Sequence, residues 1–253
     1  MEQSTRLDGK TALVTGASSG LGWRFAQVLA QAGARVALAA RRTENLAKLQ
    51  HEIEQAGGKA CAIKMDVTDA SGVRSAVAAA ESALGGIDIL LNNSGVSKQQ
   101  RLVEIEEQDY DYVMSTNLRG SFFVAQAVAR SMIARKSPGR IINISSVAAL
   151  RVVSQLALYG ISKAGVVQMT KSMASEWARY GINVNAICPG YIETELNSFY
   201  WNTDGGKKLV SMLPRKRVGQ PSDLDGLVLL LASEQSHFIN GAVIAADDGL
   251  AIG

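Results

Sequence analysis

Cysteine is nearly missing from the 253-residue chain: Cys61 and Cys188 are its two copies, with no CxxC. That excludes a disulfide framework and a thiolate zinc site, and it suits a reducing compartment. Histidine is equally scarce, with His51 and His237 alone, so a histidine-built metal centre is not expected, nor is any other metal. Long apolar runs are missing too. The longest, residues 227–232, falls far short of the ~20 residues that cross a bilayer. The polar start, residues 1–10, has no apolar h-region, so no signal peptide, no membrane contact and a cytoplasmic location are expected. Charge of one sign does not dominate either. Lys and Arg total 26 against 23 Asp and Glu, a net +3, too small and too scattered to predict a nucleic-acid partner.

What is present is a globular composition, 47% hydrophobic and 19% charged, which excludes a disordered chain. No Pro/Ser-rich linker or low-complexity tract interrupts it, so residues 1–253 are expected to form a single domain. Short apolar or β-branched runs at 11–15, 36–40, 60–65, 87–91, 140–144, 183–187 and 242–246 predict seven strands. Helical spacing fills 20–31, 43–55, 70–84, 122–135 and 164–180, and glycines such as Gly33, Gly57 and Gly181 follow these stretches. Strands alternating with helices give βαβ units. The predicted fold class is therefore α/β: a Rossmann-type, doubly wound parallel sheet of about seven strands with helices on both faces. Regular alternation lapses over 189–217, where Phe199, Tyr200 and Trp201 precede Gly205-Gly206 and the basic Arg215-Lys216-Arg217. A loop of that length after a late strand predicts a substrate lid. Its aromatics fit either an apolar pocket wall or packing.

The first strand runs into Gly16-Ala17-Ser18-Ser19-Gly20-Leu21-Gly22, and a helical pattern starts at once. Glycines allow a tight turn and a close backbone approach, and the helix start offers free N–H groups and a positive dipole end to a pyrophosphate. The spacing is G-x-x-x-G-x-G, and a glycine trio alone also suits an ordinary strand–helix turn. An acid at the end of the second strand would accept from a ribose 2′-hydroxyl. Here Ala40 is followed by Arg41 and Arg42, two guanidiniums suited to a 2′-phosphate. The predicted cofactor is NADP(H).

Tyr159 and Lys163 stand four residues apart, on one face if the segment is helical. A free tyrosine titrates near ~10 and is a poor acid–base group at neutral pH; a nearby ammonium is expected to lower it. Ser145 and Ser146 follow the strand at 140–144, where α/β sheets place their chemistry.

With these motifs in order the chain resembles the short-chain dehydrogenase/reductase family over nearly its whole length. The carrying residues are Thr15-Gly16-x-x-x-Gly20-x-Gly22, Asn92-Asn93-Ser94-Gly95, Asn117, Ser146, Tyr159-x-x-x-Lys163 and Pro189-Gly190. The resemblance implies that Tyr159 is the general acid or base, that Lys163 binds the nicotinamide ribose and lowers the tyrosine pKa, and that Ser146 holds the substrate oxygen. Asn117 is implied to hold a water of a proton relay. Asp66-Val67 resemble the adenine contact, and Asn93-Ser94-Gly95 the segment beside the adenosine ribose, with Ser94 where alanine is more common. Pro189, Gly190, Ile192 and Thr194 resemble the carboxamide-binding segment, and Tyr191 is implied to border the substrate. At Ala246-Asp247-Asp248-Gly249, Asp248 replaces a usual glycine.

The segment 189–196 and the overall similarity point, within the family, toward 3-oxoacyl-(acyl-carrier-protein) reductase-type members. Arg130 stands where such enzymes place a docking arginine, whereas Tyr180, beside Arg179, occupies a second such place, so the match to an acyl carrier protein is incomplete. The expected activity is NADPH-dependent interconversion of a ketone and a secondary alcohol, on 3-oxoacyl thioesters or other ketones. Oxidation of a sugar or polyol is the alternative, and a dinucleotide-binding protein without activity is a remote one. The resemblance also implies a homotetramer. Met169, Met173 and Trp177 recur at four-residue spacing, a stripe that suits an interface or a core.

Overall fold

Thr-Ala-Leu-Val-Thr at Thr11–Thr15 forms β1, and none of its five residues reaches solvent. Ala12 and Val14 face one apolar cluster and Leu13 the other, as strand alternation requires. Burial on both sides is what a parallel sheet covered by helices on both faces demands. The computed structural model describes residues 5–195 and 197–252; Leu196, within the segment quoted above, lies outside the described residues, as do 1–4 and Gly253.

From β1 the chain runs through α1 (Gly20–Gln31), β2 (Arg35–Ala40), α2 (Thr43–Gln55), β3 (Lys59–Lys64), α3 (Ala70–Leu84) and β4 (Ile89–Asn92). It continues through α4 (Glu107–Met114), α5 (Ser121–Ala134), β5 (Gly139–Ile144), α6 (Ala157–Trp177) and β6 (Ile182–Pro189). The last elements are α7 (Ser198–Trp201), α8 (Asp204–Met212), α9 (Asp225–Ala232) and β7 (Val243–Ala246). The strands form one parallel seven-stranded sheet in the order β3-β2-β1-β4-β5-β6-β7, the doubly wound arrangement that the alternation predicted. The winding reverses between β1 and β4, where Leu13 pairs with Leu90. The crevice at the carboxyl ends of these two strands is where such sheets bind ligands.

One face of the sheet buries Phe25 and Leu29 of α1, Leu46 and Leu49 of α2, and Val228 and Leu231 of α9. The other buries Val73 and Val77 of α3, Val124 and Val128 of α5, and Met169 and Met173 of α6. The methionine stripe is therefore core, with Trp177 packed against it. Helix α6 is followed by a 3-10 turn, Ala178–Tyr180, that stops at Gly181, whose φ of +73° is left-handed. Among the described residues no helix is long and apolar enough to cross a membrane.

Three differences from the sequence pattern matter for the site. Helix α6 starts at Ala157, not 164, because Gly160 is tolerated there by contact: a Cβ on it would lie 2.8 Å from the Ala148 oxygen. Helix α4, too polar to show a clear stripe, joins α5 through a π-helical segment, Ser115–Gly120. Finally, 198–212 is helical where irregular chain was expected. Thr203 caps α8 by accepting from the Gly206 N–H at 3.1 Å, a cap that outweighs the two glycines behind it.

Candidate active site

The turn after β1 is set by close approach. A Cβ on Gly22 would sit 2.3 Å from the Gly16 oxygen, and one on Gly16 would sit 2.9 Å from Asn93 Nδ2. Gly16 also holds φ +68°. Asn93 donates through Nδ2 to the Thr15 carbonyl (3.0 Å), and the backbone N–H groups of Asn93 and Ser94 donate to Thr15 Oγ1 (2.9 and 3.1 Å). Asn45 donates to the Ser18 carbonyl (3.0 Å). The turn is thus clamped from β4 on one side and α2 on the other. Asn45 has a role that no spacing announced, and Thr15, quoted in the motif, proves to anchor the chain after β4.

At the end of β2, Arg42 leaves the start of its own helix and reaches the turn. Its Nη2 donates to Ser18 Oγ (3.0 Å) and Ser19 Oγ (2.7 Å), and its Nε to Ser18 Oγ (3.2 Å). Arg41 is exposed beside it and helps to hold the Asp66 carboxyl below the usual range, behind the larger effect of the Thr68 N–H bond to that carboxylate. The N–H of Gly20, at the start of α1, donates to the Glu195 carboxylate (3.1 and 3.3 Å). An anion is therefore already received at this helix start, as its dipole favours.

A cleft of about 970 Å³ joins this turn to the carboxyl ends of β5 and β6. Gly16, Ser18, Ser19, Gly20, Leu21, Arg41, Arg42, Asp66, Val67, Asn93, Ser94 and Gly95 line one part of it. Ser146, Tyr159, Lys163, Pro189, Gly190, Tyr191, Ile192 and Thr194 line the rest. Of the residues singled out in the sequence, Gly22 and Asn117 stand behind the wall. Asn117 is fully buried in the π-helical segment, donating from Nδ2 to the Val96 carbonyl (2.9 Å) and Ser162 Oγ (3.0 Å) and accepting from the Val96 N–H (2.8 Å). Its side chain is thus occupied in fixing the chain after Gly95.

Tyr159 and Lys163 share the inner face of α6, opposite the end of β5. Ser146 accepts from the Ala148 N–H (3.1 Å) and lies beside the Tyr159 phenol, whereas the buried Ser145 donates to the Lys163 carbonyl (2.9 Å). Lys163, buried at 3% exposure, donates to the Ile144 carbonyl (2.8 Å) and stands 5.7 Å from the centre of the Tyr159 ring. Burial pushes its ammonium down to about 8. Burial also pushes the Tyr159 phenol up, with the neighbouring Ser146 working the other way. In the coenzyme-free cleft the ammonium is aimed at Ile144, and desolvation is the largest influence on the phenol.

The segment after β6 is tied together by Asn197, which accepts at Oδ1 from the Thr194 N–H (2.8 Å) and Trp201 Nε1 (3.1 Å) and donates to the Ile192 carbonyl (2.9 Å). Trp201 meets Tyr191 edge-on at 5.7 Å. Asp248, where the family resemblance places a glycine, holds a left-handed backbone, φ +57°, and pairs with Arg215 (3.0 Å) and Arg217 (2.7 Å) at the far end of the segment.

The family described as Enoyl-(Acyl carrier protein) reductase matches residues 16–251. The chain is 41% identical to the gluconate 5-dehydrogenase of Gluconobacter oxydans (strain 621H), covering 97% of this chain and 96% of that one. It is 38% identical to the 3-oxoacyl-(acyl-carrier-protein) reductase FabG of Thermotoga maritima, covering 98% and 100%. A gluconate 5-dehydrogenase from Burkholderia cenocepacia J2315, solved in complex with NADP and tartrate, superposes with a TM-score of 0.94 at 40% identity, covering 99% and 98%. With its fold, its glycine turn and these relatives together, the chain belongs to the short-chain dehydrogenase/reductase family and is an oxidoreductase.

Proposed function

We propose that the protein is an NADP-dependent dehydrogenase that interconverts a secondary alcohol and a ketone on a sugar acid or polyol. The observation that carries this reading is the single cleft that joins the glycine turn and Arg41-Arg42 to Ser146, Tyr159 and Lys163. The substrate class follows two of the three relatives above, which are gluconate 5-dehydrogenases. It takes the sugar or polyol alternative in place of the 3-oxoacyl thioester, and with it sets aside the acyl-carrier-protein partner. The proposal takes the chain as one catalytic domain with 189–217 as its substrate lid. Phe122 and Ile161, exposed on α5 and α6, give apolar surface for the proposed homotetramer.

The residues fit the dinucleotide. A Cβ on Gly22 would close the turn, the α1 start already receives a carboxylate, and Arg42 with Ser18 and Ser19 gathers donors where an acid would favour NAD. Asp66, Val67, Asn93, Ser94 and Gly95 would border the adenosine half, and Pro189, Gly190, Ile192 and Thr194 the nicotinamide half. When bound, the nicotinamide supplies the hydride acceptor or donor. Ser146 holds the substrate oxygen, with Tyr191 beside it. Tyr159 takes or gives the proton at that oxygen through its phenol. Its buried phenol stays protonated in the free cleft, the form that donates to a carbonyl. Lys163 holds positive charge beside it, and Asn117 keeps the neighbouring chain in place.

Turnover of D-gluconate and sorbitol with NADP+ and NAD+ tests the proposal. NADP+ is expected to be preferred, and replacing both Arg41 and Arg42 by Ala is expected to cut that preference by roughly a hundredfold, the worth of two charge-assisted bonds. A wild-type preference for NAD+ above about tenfold contradicts the arginine assignment. Glu195→Gln removes the carboxylate that competes at the Gly20 N–H. It is expected to tighten NADPH binding by about threefold, read by fluorescence titration.

A further inference from the structure

We propose that Asp109 and Gln155 are positioning residues that fix the substrate end of the cleft, an inference that rests on the substrate lying there. Two segments wall that end. Val96 and Ser97 come from the chain after β4, and Val153 and Leu156 from the chain leading into α6. They are stitched together at Gln155. Its carbonyl accepts from the Gln100 N–H (2.9 Å), and its side-chain Oε1 accepts from Gln99 Nε2 (3.2 Å).

Gln155 holds φ at +62°, a left-handed conformation that costs a non-glycine residue on the order of 1 kcal/mol and persists only where its surroundings enforce it. The enforcement comes from behind the wall. Asp109, on α4 and 7% exposed, accepts from Gln100 Nε2 (2.7 Å) and from Lys98 Nζ. Both donors flank Gln99, and Lys98 follows Ser97 of the cleft. On the other side of the stitch, the Leu156 carbonyl accepts from the Gly160 N–H (2.8 Å), in the first turn of α6 beside Tyr159. One continuous set of bonds therefore runs from a buried carboxylate on α4, across the wall, to the helix that carries the phenol. None of these residues touches the glycine turn, so the stitch acts on substrate placement and leaves the dinucleotide half alone.

The test compares Asp109→Asn, Asp109→Glu and Gln155→Gly with wild type in the full chain. KM and kcat are measured with NADP+ and D-gluconate, NADPH affinity by titration, and backbone hydrogen exchange over 151–160. Asp109→Asn and Gln155→Gly are expected to raise KM about fivefold, with kcat and NADPH affinity within about twofold. Asp109→Glu restores most of the KM. Gln155→Gly raises KM without lowering Tm, because glycine carries no left-handed penalty, an outcome that a merely structural role does not give. In Asp109→Asn, exchange over 151–160 quickens although the substitution is on α4. Unchanged KM with unchanged exchange over 151–160 overturns the proposal, as does a loss of kcat at constant KM. If Asp109→Asn does not fold, Gln155→Gly decides. If wild type does not turn over D-gluconate, the substrate class fails and the exchange measurement alone decides the stitch.

Discussion

Replacing Lys163 with Met is expected to cut turnover by about a hundredfold or more and at the same time to stabilise the fold. The side chain is 3% exposed, and its ammonium is held by the Ile144 carbonyl. Its pKa is about 8 against an ordinary 10.5, so the folded state holds the proton less well than the unfolded chain. Between those values the unfolded chain binds more protons, and stability rises with pH across that window. Below it both states are protonated and the full penalty applies, roughly 3 kcal/mol. Met fills similar space without charge. The variant should therefore melt higher than wild type at pH 7, by on the order of 5–10 °C for a chain of this size. The gap should close as pH climbs through the window. Turnover should fall by about a hundredfold or more, since the charge beside Tyr159 is gone. A variant that melts lower at pH 7 contradicts the burial account, and one that keeps its turnover contradicts the role of the cation.

The sheet was legible because β1, β2 and β5 are buried runs bounded by glycine or polar turns, and order and handedness then follow from short right-handed crossovers. The Gly16-to-Gly22 turn was legible because only glycine tolerates that approach to Asn93 and the Gly16 oxygen. Tyr159 and Lys163 were legible as a pair from helical spacing. Which way their charges act was not, since that depends on burial and on Lys163 turning to Ile144, which spacing does not encode. Asp109 sits in a short polar helix and bonds Lys98 and Gln100 in the loop before it, and Asn197 bonds Ile192, Thr194 and Trp201 in a segment without periodicity, so no repeating pattern marks either residue. Glu195 reaches the start of α1 from 175 residues away. Contacts of that range are products of the fold rather than of any motif.

Tyr159→Phe removes one hydroxyl and leaves the ring. The ring keeps its place on α6 near Lys163, so the fold and the dinucleotide half of the cleft are expected to be intact. What goes is the phenolic proton beside Ser146. A positioned acid or base contributes about a hundred- to ten-thousandfold, and the loss should fall on kcat and kcat/KM alike, the mark of a group that acts in the transition state. NADPH titration and steady-state turnover of Tyr159→Phe, done side by side on one preparation, put this to the most direct test. The expected result is NADPH affinity within about twofold of wild type and turnover lower by roughly a thousandfold; turnover close to wild type would mean that the proton at the substrate oxygen is handled by another group.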